Sequence, residues 1–197
     1  AELVEVLSQQ YQNVKTNKSV NHNISLLADE NTFTVTTGHQ LNLFTGPLYF
    51  LYKIISTINL TKELKKKYPT YDFVPVYWMA TEDHDFDEIH YFNYKDKKFQ
   101  WNKEASGPVG RLDLNDLDKV FSSFSGQLGL GDNAKQLKNW FEKAYLNHDN
   151  LAEATRFLAN EIFGSHGLVI VDGDDPKLKN LFVPFIQKEL TEQNAQN

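Results

Sequence analysis

The order of three apolar segments most constrains the fold of this chain. Phe33–Thr37 is short and β-branched, the segment Pro47–Leu60 carries apolar residues at helical spacing, and Phe73–Ala80 is almost wholly apolar. β-Branched residues favour strands, and strands buried on both faces of a parallel sheet are apolar nearly throughout. A strand, a helix and a second strand joined by short connections form a right-handed unit with parallel strands. The sequence therefore predicts an α/β protein built on a parallel sheet.

A third segment with the character of a buried strand, Leu168–Val171, comes after a long stretch with a different pattern. That stretch, residues 91–164, opens with a hairpin pattern at Tyr91–Trp101. Three segments with apolar residues at helical spacing follow the hairpin: Leu117–Phe124, Ala134–Leu146 and Leu151–Phe163. We therefore expect a single domain over residues 1–197, in which residues 91–164 form a mostly helical insertion between strands of the sheet.

The composition limits the classes of function. The 197 residues have a formal net charge of −6 and contain no cysteine. A negative protein is a poor match for nucleic acid, and no disulfide or thiolate metal ligand can come from these residues. The longest apolar run, Leu41–Leu60, is interrupted by polar residues and is too polar to span a bilayer. We expect a cytoplasmic protein that binds neither nucleic acid nor membrane.

Two polar stretches with the chemistry of a ligand site come directly after the first two predicted strands. They are Thr37–Gln40 and Glu82–Asp87. The carboxyl ends of parallel strands meet at one edge of a sheet, where open α/β sheets bind ligands. We therefore expect one shared site, with Gly38 allowing a sharp turn out of the first strand and Pro75 at the start of the second.

The second stretch offers acid–base chemistry. In an extended chain Asp83 and Asp85 would share one side, with His84 on the other. Our hypothesis is that Asp83 or Asp85 binds a substrate ammonium group and that His84 removes a proton from an attacking amine. A solvated acidic loop without function is the alternative for the same residues.

Metal binding is a competing use of the residues from Glu82 to His90, because carboxylates and imidazoles together can hold a divalent ion. Their spacing matches no strong metal-binding pattern, so we assign no metal ligand. A metal-assisted hydrolase is nevertheless an alternative enzyme class. A non-catalytic small-molecule-binding domain is the alternative outside enzymes.

Several other polar residues have two interpretations each. His39 is either functional, beside an anion-binding helix N-terminus, or a buried histidine with its hydrogen bonds satisfied. Arg111 suits bidentate binding of a carboxylate, or is a surface arginine. Lys53 is interpreted as extending from its apolar helix to solvent, and Asp172–Asp175 as turn residues after the third strand.

Two long blocks carry a resemblance to a known family. Thr36–Tyr49 with Tyr52–Lys53, and then Trp78–Glu88, resemble the BshC family, the cysteine ligases of bacillithiol biosynthesis. The resemblance continues through Pro108–Arg111 and from Gly167 towards the end of the chain. It implies a Rossmann-like core with connecting-peptide insertions, followed by a helical coiled coil through which such proteins dimerise. By this resemblance the chain is the N-terminal part of a longer homodimeric protein, without the coiled coil.

The resemblance also implies a reaction, in which cysteine is joined to glucosaminyl malate through an amide bond. The family layout is similar to that of class I aminoacyl-tRNA synthetases, whose His-x-Gly-His element contacts a nucleotide; here His39 alone fits that element. We therefore expect a ligase acting on cysteine and glucosaminyl malate, with the use of ATP or ADP left open. Expected catalytic residues are His39, Asp83, His84 and Asp85. Expected substrate-binding residues are Gly38, Gln40, Glu82 and Arg111.

Two helical patterns bear on the missing remainder of such a longer protein. A helix as apolar as Pro47–Leu60 needs cover on nearly all of its sides, so we expect the remainder to cover part of it. The chain also closes in a helical pattern, Val183–Gln193. An uncovered apolar face would make the isolated chain prone to association.

Overall fold

A computed structural model describes residues 2–192 and contains a three-stranded parallel sheet. Its strands are β1 (Thr32–His39), β2 (Asp72–Met79), β3 (Tyr91–Tyr94), β4 (Lys97–Gln100) and β5 (Val169–Asp172). The sheet has the order β1–β2–β5, and both of its pairings are parallel. Strands β3 and β4 form a separate antiparallel hairpin. The predicted α/β class and the three predicted parallel strands are confirmed.

The described residues form eight α-helices. They are α1 (Glu2–Gln10), α2 (Lys18–Leu26), α3 (Tyr49–Lys67), α4 (Phe86–Ile89), α5 (Leu117–Ser125), α6 (Asp132–Tyr145), α7 (Leu151–Phe163) and α8 (Pro176–Glu192). Helix α3 connects β1 to β2, as predicted. The predicted C-terminal helix lies within α8, except for Gln193, which is outside the described residues. Among residues 2–192, no helix has the length and apolar character that crossing a membrane requires.

Strand β1 extends past its predicted end. Gly38 and His39 both pair with β2, so the sharp turn expected at Gly38 does not occur. The chain turns later, at Phe44, Thr45 and Gly46, whose φ angles are 46°, 70° and 52°. The prediction was wrong because pairing with a strand some forty residues away supplies hydrogen bonds that the local sequence does not reveal.

Pro75 lies inside β2, opposite Val35 of β1, and not at the start of the strand as expected. Strand β5 pairs with Val76–Met79, so within residues 2–192 the first half of β2 has no strand on its other side. The nitrogen of Pro75 points to that unpaired side, because the neighbouring even-numbered residues of β2 donate towards β1. A proline is tolerated there since no ladder hydrogen bond is lost.

Helix α3 is covered on one side within the described residues. Phe50, Ile54 and Ile58 are buried, and the helix packs against β1 and β2. Tyr52 and Ile55 on the other side are 61% and 43% exposed. No described element packs on this outer face, so residues 2–192 do not supply the cover on nearly all sides that the apolar pattern of the helix calls for.

An aromatic cluster holds the inserted segment together. The ring of Phe124 lies 5.0 Å from Phe92 and 5.9 Å from Phe141, measured between ring centroids. Phe44, from the turn that leads towards α3, enters the same cluster at 5.3 Å from Phe124. The backbone N–H of Phe44 also donates to the hydroxyl of Tyr145 at 2.8 Å. The inserted segment is thereby fixed to the turn that follows β1.

Replacing Phe124 by alanine is expected to destabilise the protein. Phe124 is 1% exposed and contacts several aromatic rings, so the substitution leaves a cavity in a close-packed cluster. The free energy of unfolding should fall by about 3–5 kcal/mol, measured by chemical denaturation. Leu130→Ala is the control, because Leu130 is 89% exposed; equal effects of the two substitutions would contradict the role of the cluster.

Candidate functional site

The side chain of Gln40 joins the two polar stretches. Gln40 follows β1 directly, and its amide nitrogen donates to Asp83 Oδ2 and to Glu88 Oε2, at 2.9 Å in each case. Parallel pairing of β1 with β2 brings residues 40 and 83 to the same edge of the sheet. The structure thus brings the two predicted stretches together at one point.

Asp83 is a half-buried carboxylate with several hydrogen-bond donors around it. Besides the bond from Gln40, its Oδ1 accepts the backbone N–H groups of His84 at 2.7 Å and Asp85 at 3.2 Å. Burial acts to raise the pKa of Asp83, but the hydrogen bonds from Gln40 and the backbone outweigh it, so the pKa is lowered. Asp83 therefore carries a fixed negative charge at neutral pH.

The segment from Asp83 to Asp85 is a turn and not an extended strand. The bonds to Asp83 Oδ1 close the chain locally, and Phe86 N–H donates to the carbonyl of His84 at 3.1 Å. The expected alternation of sides is wrong, because an aspartate side chain competes for backbone N–H groups that an extended strand would leave to a neighbour. The side chains of His84 and Asp85 are exposed.

Glu82 lies towards β5. Its Oε1 accepts a hydrogen bond from the indole N–H of Trp78 at 3.4 Å. A Cβ atom built on Gly173, just after β5, would lie 2.5 Å from Glu82 Oε2. Glu82 is therefore near the end of the third strand, while Asp83 is bound to Gln40.

His39 is a neutral, buried imidazole. It is 6% exposed and packs between the rings of Tyr49 and Phe50, at centroid distances of 4.8 and 5.1 Å. Burial lowers the pKa of His39. Its Nδ1 lies 2.9 Å from the carbonyl oxygen of Gln40, which requires the proton on Nδ1. Its Nε2 is then a buried acceptor, and no partner for it occurs among the described residues.

Lys53 turns back onto β1. Its ammonium group donates to the carbonyl of Gly38 and lies 5.8 Å from the ring centroid of Tyr49. The interpretation that Lys53 extends to solvent is therefore wrong. The reason is that the last outward-facing carbonyl of β1 lies within its reach, which a helical pattern alone does not reveal.

The turn at Val109–Arg111 holds the Asp83 loop by its backbone. Val109 N–H donates to the carbonyl of Asp83 at 2.7 Å, and Gly110 N–H donates to the carbonyl of Thr81 at 3.0 Å. A Cβ atom on Gly110 would lie 2.6 Å from Thr81 Cβ. Glycine at position 110 is therefore required for this close approach of two backbone segments.

The charge of Arg111 is already paired. Its guanidinium Nε lies 2.5 Å from Asp174 Oδ2, and Lys179 forms a second ion pair with the same carboxylate. Burial acts to raise the pKa of Asp174, but these cationic partners outweigh it and leave the pKa lowered. Asp174 is thus more than a turn residue, and a substrate carboxylate at Arg111 would share the arginine with it.

Sequence reasoning missed three residues that complete the site. Glu88 accepts from Gln40, and the side-chain amide of Asn42 donates to the Glu88 carbonyl at 3.2 Å. The hydroxyl of Thr81 donates to Asp172 and accepts the N–H of Asp174 at 2.9 Å. Glu88 stood in an acidic stretch that the pattern had marked, whereas Asn42 and Thr81 carried no signal of their own.

A cleft of about 730 Å³ opens beside Gln40 and Glu88. Residues 45–49, which lead into α3, form part of its lining, and residues 87–88 and 91–93 form another part. Within residues 2–192 no side chain caps the N-terminus of α3, where Phe50 N–H donates to the carbonyl of Pro47. The positive end of this helix favours an anion, while the carboxylates of Asp87 and Glu88 favour a cation. The cleft therefore suits a small molecule that carries both charges.

Within residues 2–192, no group of three or more histidine, aspartate and glutamate side chains converges closely enough to hold a metal ion. This includes the stretch from Glu82 to His90. Its carboxylates bind Gln40, Trp78 and backbone N–H groups, or are exposed.

Comparison with known families identifies the class of protein. A family model described as "Bacillithiol biosynthesis BshC, N-terminal Rossmann-like domain" matches residues 1–197. This chain belongs to the BshC family, and its sheet is the Rossmann-like sheet that the resemblance implied.

Individual relatives agree with this assignment. A protein of Flavobacterium johnsoniae named "Putative cysteine ligase BshC" is 64% identical over 98% of this chain. Proteins of the same name from Christiangramia forsetii and Bacillus cytotoxicus are 57% and 32% identical, over 98% and 97% of the chain. The chain spans about 36% of the Flavobacterium protein and 37% of the other two.

Replacing Gly110 by alanine is expected to displace the Asp83 loop. The added methyl group would collide with Thr81, so the variant should lose about 1–3 kcal/mol of stability and shift the amide NMR signals of Asp83 and His84. Gly129→Ala is the control, since nothing lies within 4 Å of the corresponding Cβ position. Unchanged Asp83 and His84 signals in Gly110→Ala would contradict the proposed contact.

Removing the side chain of Gln40 is expected to raise the pKa of Asp83. Gln40→Ala deletes a hydrogen bond that favours the carboxylate, so the pKa should move back towards the ordinary value of about 3.9. A carboxyl group whose pKa is lower in the folded than in the unfolded protein stabilises the fold at pH values above its unfolded-state pKa. This stabilisation is lost as the pH falls through the folded-state pKa. Gln40→Ala should therefore lose part of the stabilisation that Asp83 provides at neutral pH.

The pKa can be followed by NMR titration of the Asp83 carboxyl carbon. Gln127→Ala is the control, because Gln127 binds Lys97 in the hairpin, away from Asp83. An Asp83 titration that is the same in the wild type and in Gln40→Ala would show that Gln40 does not hold the carboxylate in solution.

Proposed function

We propose that these residues form part of the active site of a cytoplasmic ligase that joins cysteine to glucosaminyl malate through an amide bond, giving bacillithiol. Membership of the BshC family and the name of its relatives support cysteine as a substrate. The observation that carries the proposal is the bridge from Gln40 to Asp83 and Glu88 at the shared edge of β1 and β2, beside a cleft with both signs of charge.

The two carboxylates suit the amine of the amino sugar. The lowered pKa of Asp83 keeps its carboxyl group ionised, and the carboxylate of Glu88 accepts a hydrogen bond from the same Gln40 amide nitrogen. An ammonium group beside them would gain charge-assisted hydrogen bonds. It must lose a proton before it can attack a carboxyl carbon, since the protonated amine has no free electron pair.

His84 is the proposed general base. It follows Asp83 directly, its ring is exposed, and a neutral imidazole has one ring nitrogen that can accept a proton. In this scheme His84 takes the proton of the ammonium group while Asp83 and Glu88 hold the nitrogen. Asp85, also exposed and next to His84, would stabilise the imidazolium that forms.

The remaining predicted residues have positional roles in this proposal. The uncapped N-terminus of α3 and Arg111 would bind the carboxylates of the malate arm. The buried His39 would hold the backbone carbonyl of Gln40 in place through its Nδ1, and the exposed Gly38 would leave room beside it for substrate. Glu82 would act at the β5 side of the site.

Amide formation breaks a C–O bond of the cysteine carboxylate, and an unmodified carboxylate oxygen is a poor leaving group. Activation by ATP would turn this oxygen into part of a phosphate or AMP group, which leaves when the amine attacks. ATP is the candidate activator, and turnover with and without ATP tests this part separately.

The complete protein would act as a homodimer, in agreement with the coiled coil that the family resemblance implies.

Replacing His84 by alanine in a complete protein that contains these residues should lower amide formation by about 10²–10⁴-fold, because a general base is lost. Product is measured by mass spectrometry after incubation with cysteine and glucosaminyl malate, with and without ATP. His22→Ala is the control, since His22 is exposed on α2. Undiminished turnover by His84→Ala would remove the base from the scheme.

The same assay separates the other functions considered for this chain. Hydrolysis measured without ATP that disappears on dialysis against a chelator and returns with a divalent metal would favour a metal-assisted hydrolase; ATP is left out because it acts as a complex with Mg²⁺. Binding of both substrates without product under every condition would instead indicate a binding domain.

A further inference from the structure

The turn that lines the cleft beside Gln40 has an unusual backbone. Phe44 and Thr45 have φ angles of 46° and 70°, and Gly46 combines a φ of 52° with a ψ of −131°. Most residues other than glycine avoid positive φ, and β-branched residues such as threonine avoid it most strongly. Thr45 and Gly46 line the cleft, and α3 begins three residues later. Because the turn is held against the preference of its own residues, contacts from elsewhere in the protein must stabilise it.

Tyr145 supplies such a contact from the inserted segment. Its hydroxyl oxygen accepts the backbone N–H of Phe44 at 2.8 Å, although the two residues are 101 positions apart. Tyr145 is the last residue of α6 and is 1% exposed. Burial raises the pKa of Tyr145, so its hydroxyl stays neutral at neutral pH. Without this acceptor the half-buried N–H of Phe44 would lose its partner, which would favour another conformation of the turn.

The same turn connects the two charged sides of the cleft. The side chain of Asn42 lies against Gly46, where an added Cβ would be 2.4 Å from Asn42 Cβ. The amide of Asn42 also donates to the carbonyl of Glu88, on the negative side of the cleft. In the other direction the turn leads into the positive end of α3. A movement of the turn therefore changes the distance between the two charges that a ligand meets.

We infer that Tyr145 is a positioning residue for this cleft: its hydroxyl holds the turn at residues 44–46, and the turn sets the separation of the negative and positive sides. Tyr145 is buried and does not belong to the lining of the cleft, so it acts through the turn and not on the ligand itself. This role applies to whichever ligand fills the cleft. The choice of glucosaminyl malate as the probe rests on the proposed function.

A role in packing alone is the alternative for Tyr145. Its ring lies 4.8 Å from that of Phe141, measured between centroids, and so belongs to the aromatic cluster. Tyr145→Phe separates the two roles, because it removes the hydroxyl and keeps the ring.

Tyr11→Phe is the matched control. Tyr11 is also buried, and its hydroxyl accepts the backbone N–H of Ile170 at 2.7 Å. Ile170 lies in β5, at the edge of the sheet opposite β1. Both substitutions therefore delete one hydrogen bond from a backbone N–H to a buried tyrosine hydroxyl, but only Tyr145→Phe deletes it at the cleft.

Hydrogen–deuterium exchange of the complete protein tests the contact. In Tyr145→Phe the peptide that contains residues 43–46 should exchange about tenfold faster than in the wild type, because the turn loses a hydrogen bond and opens more often. In Tyr11→Phe the peptide that contains Ile170 should exchange faster, and the turn peptide should not change. An unchanged turn peptide in Tyr145→Phe would overturn the inference.

Steady-state kinetics of the complete protein test the effect on the cleft. Tyr145→Phe should raise KM for glucosaminyl malate by about tenfold, because a smaller fraction of the protein has the turn in its binding conformation. The value of kcat should stay within about twofold, since the hydroxyl touches no reacting atom. Tyr11→Phe should leave KM within about twofold of the wild type while losing a similar amount of thermal stability.

Equal changes of KM in Tyr145→Phe and Tyr11→Phe would overturn the positioning role, as would a fall of kcat at unchanged KM in Tyr145→Phe. A wild-type protein that neither binds nor converts glucosaminyl malate would contradict the proposed function instead. The exchange of the turn peptide would then decide the role of Tyr145 by itself.

Discussion

Parallel pairing of β1 with β2 over eight residues is the interaction on which the candidate site depends. The register places Gly38 opposite Trp78 and His39 opposite Met79. The two strands therefore end side by side at the same edge of the sheet. Gln40 and Asp83 meet as a result, although 43 positions separate them. A shift of the register by one residue would turn every side chain to the other face of the sheet and separate the two groups.

The loop that carries Asp83 is held from two directions. The backbone at Val109 and Gly110 binds it from the inserted segment, and the hydroxyl of Thr81 binds Asp172 at the end of β5. Asp172 in turn lies 4.0 Å from the buried guanidinium of Arg156. Charged groups in a site function only when they are held in a fixed geometry, and here the geometry comes from elements distant in sequence. Residues 91–164, which lie between β2 and β5 in the chain, thereby contribute to the geometry of the site.

The charges of the site are arranged so that they do not cancel. Asp83 keeps its negative charge and shares the donor Gln40 with Glu88, whereas burial lowers the pKa of His39. Arg111, the cation expected at the site, is paired with Asp174 beside β5. A ligand would therefore meet a negative region around Gln40 and a positive one at the start of α3. This polarity distinguishes an ammonium-bearing substrate from a plain anion.

The sequence by itself determined the class of the fold. β-Branched and apolar segments indicate strands, and apolar residues at helical spacing indicate the helix that connects them; both are local patterns that can be read without the tertiary structure. It also determined that polar groups gather at the ends of two strands. The tertiary structure alone decided that Gln40 bridges Asp83 and Glu88, that Arg111 pairs with Asp174, and that β1 continues past Gly38. These features depend on contacts between residues about 40 to 60 positions apart. No local pattern encodes such contacts, since each residue has several partners of suitable chemistry and only the packed chain selects one.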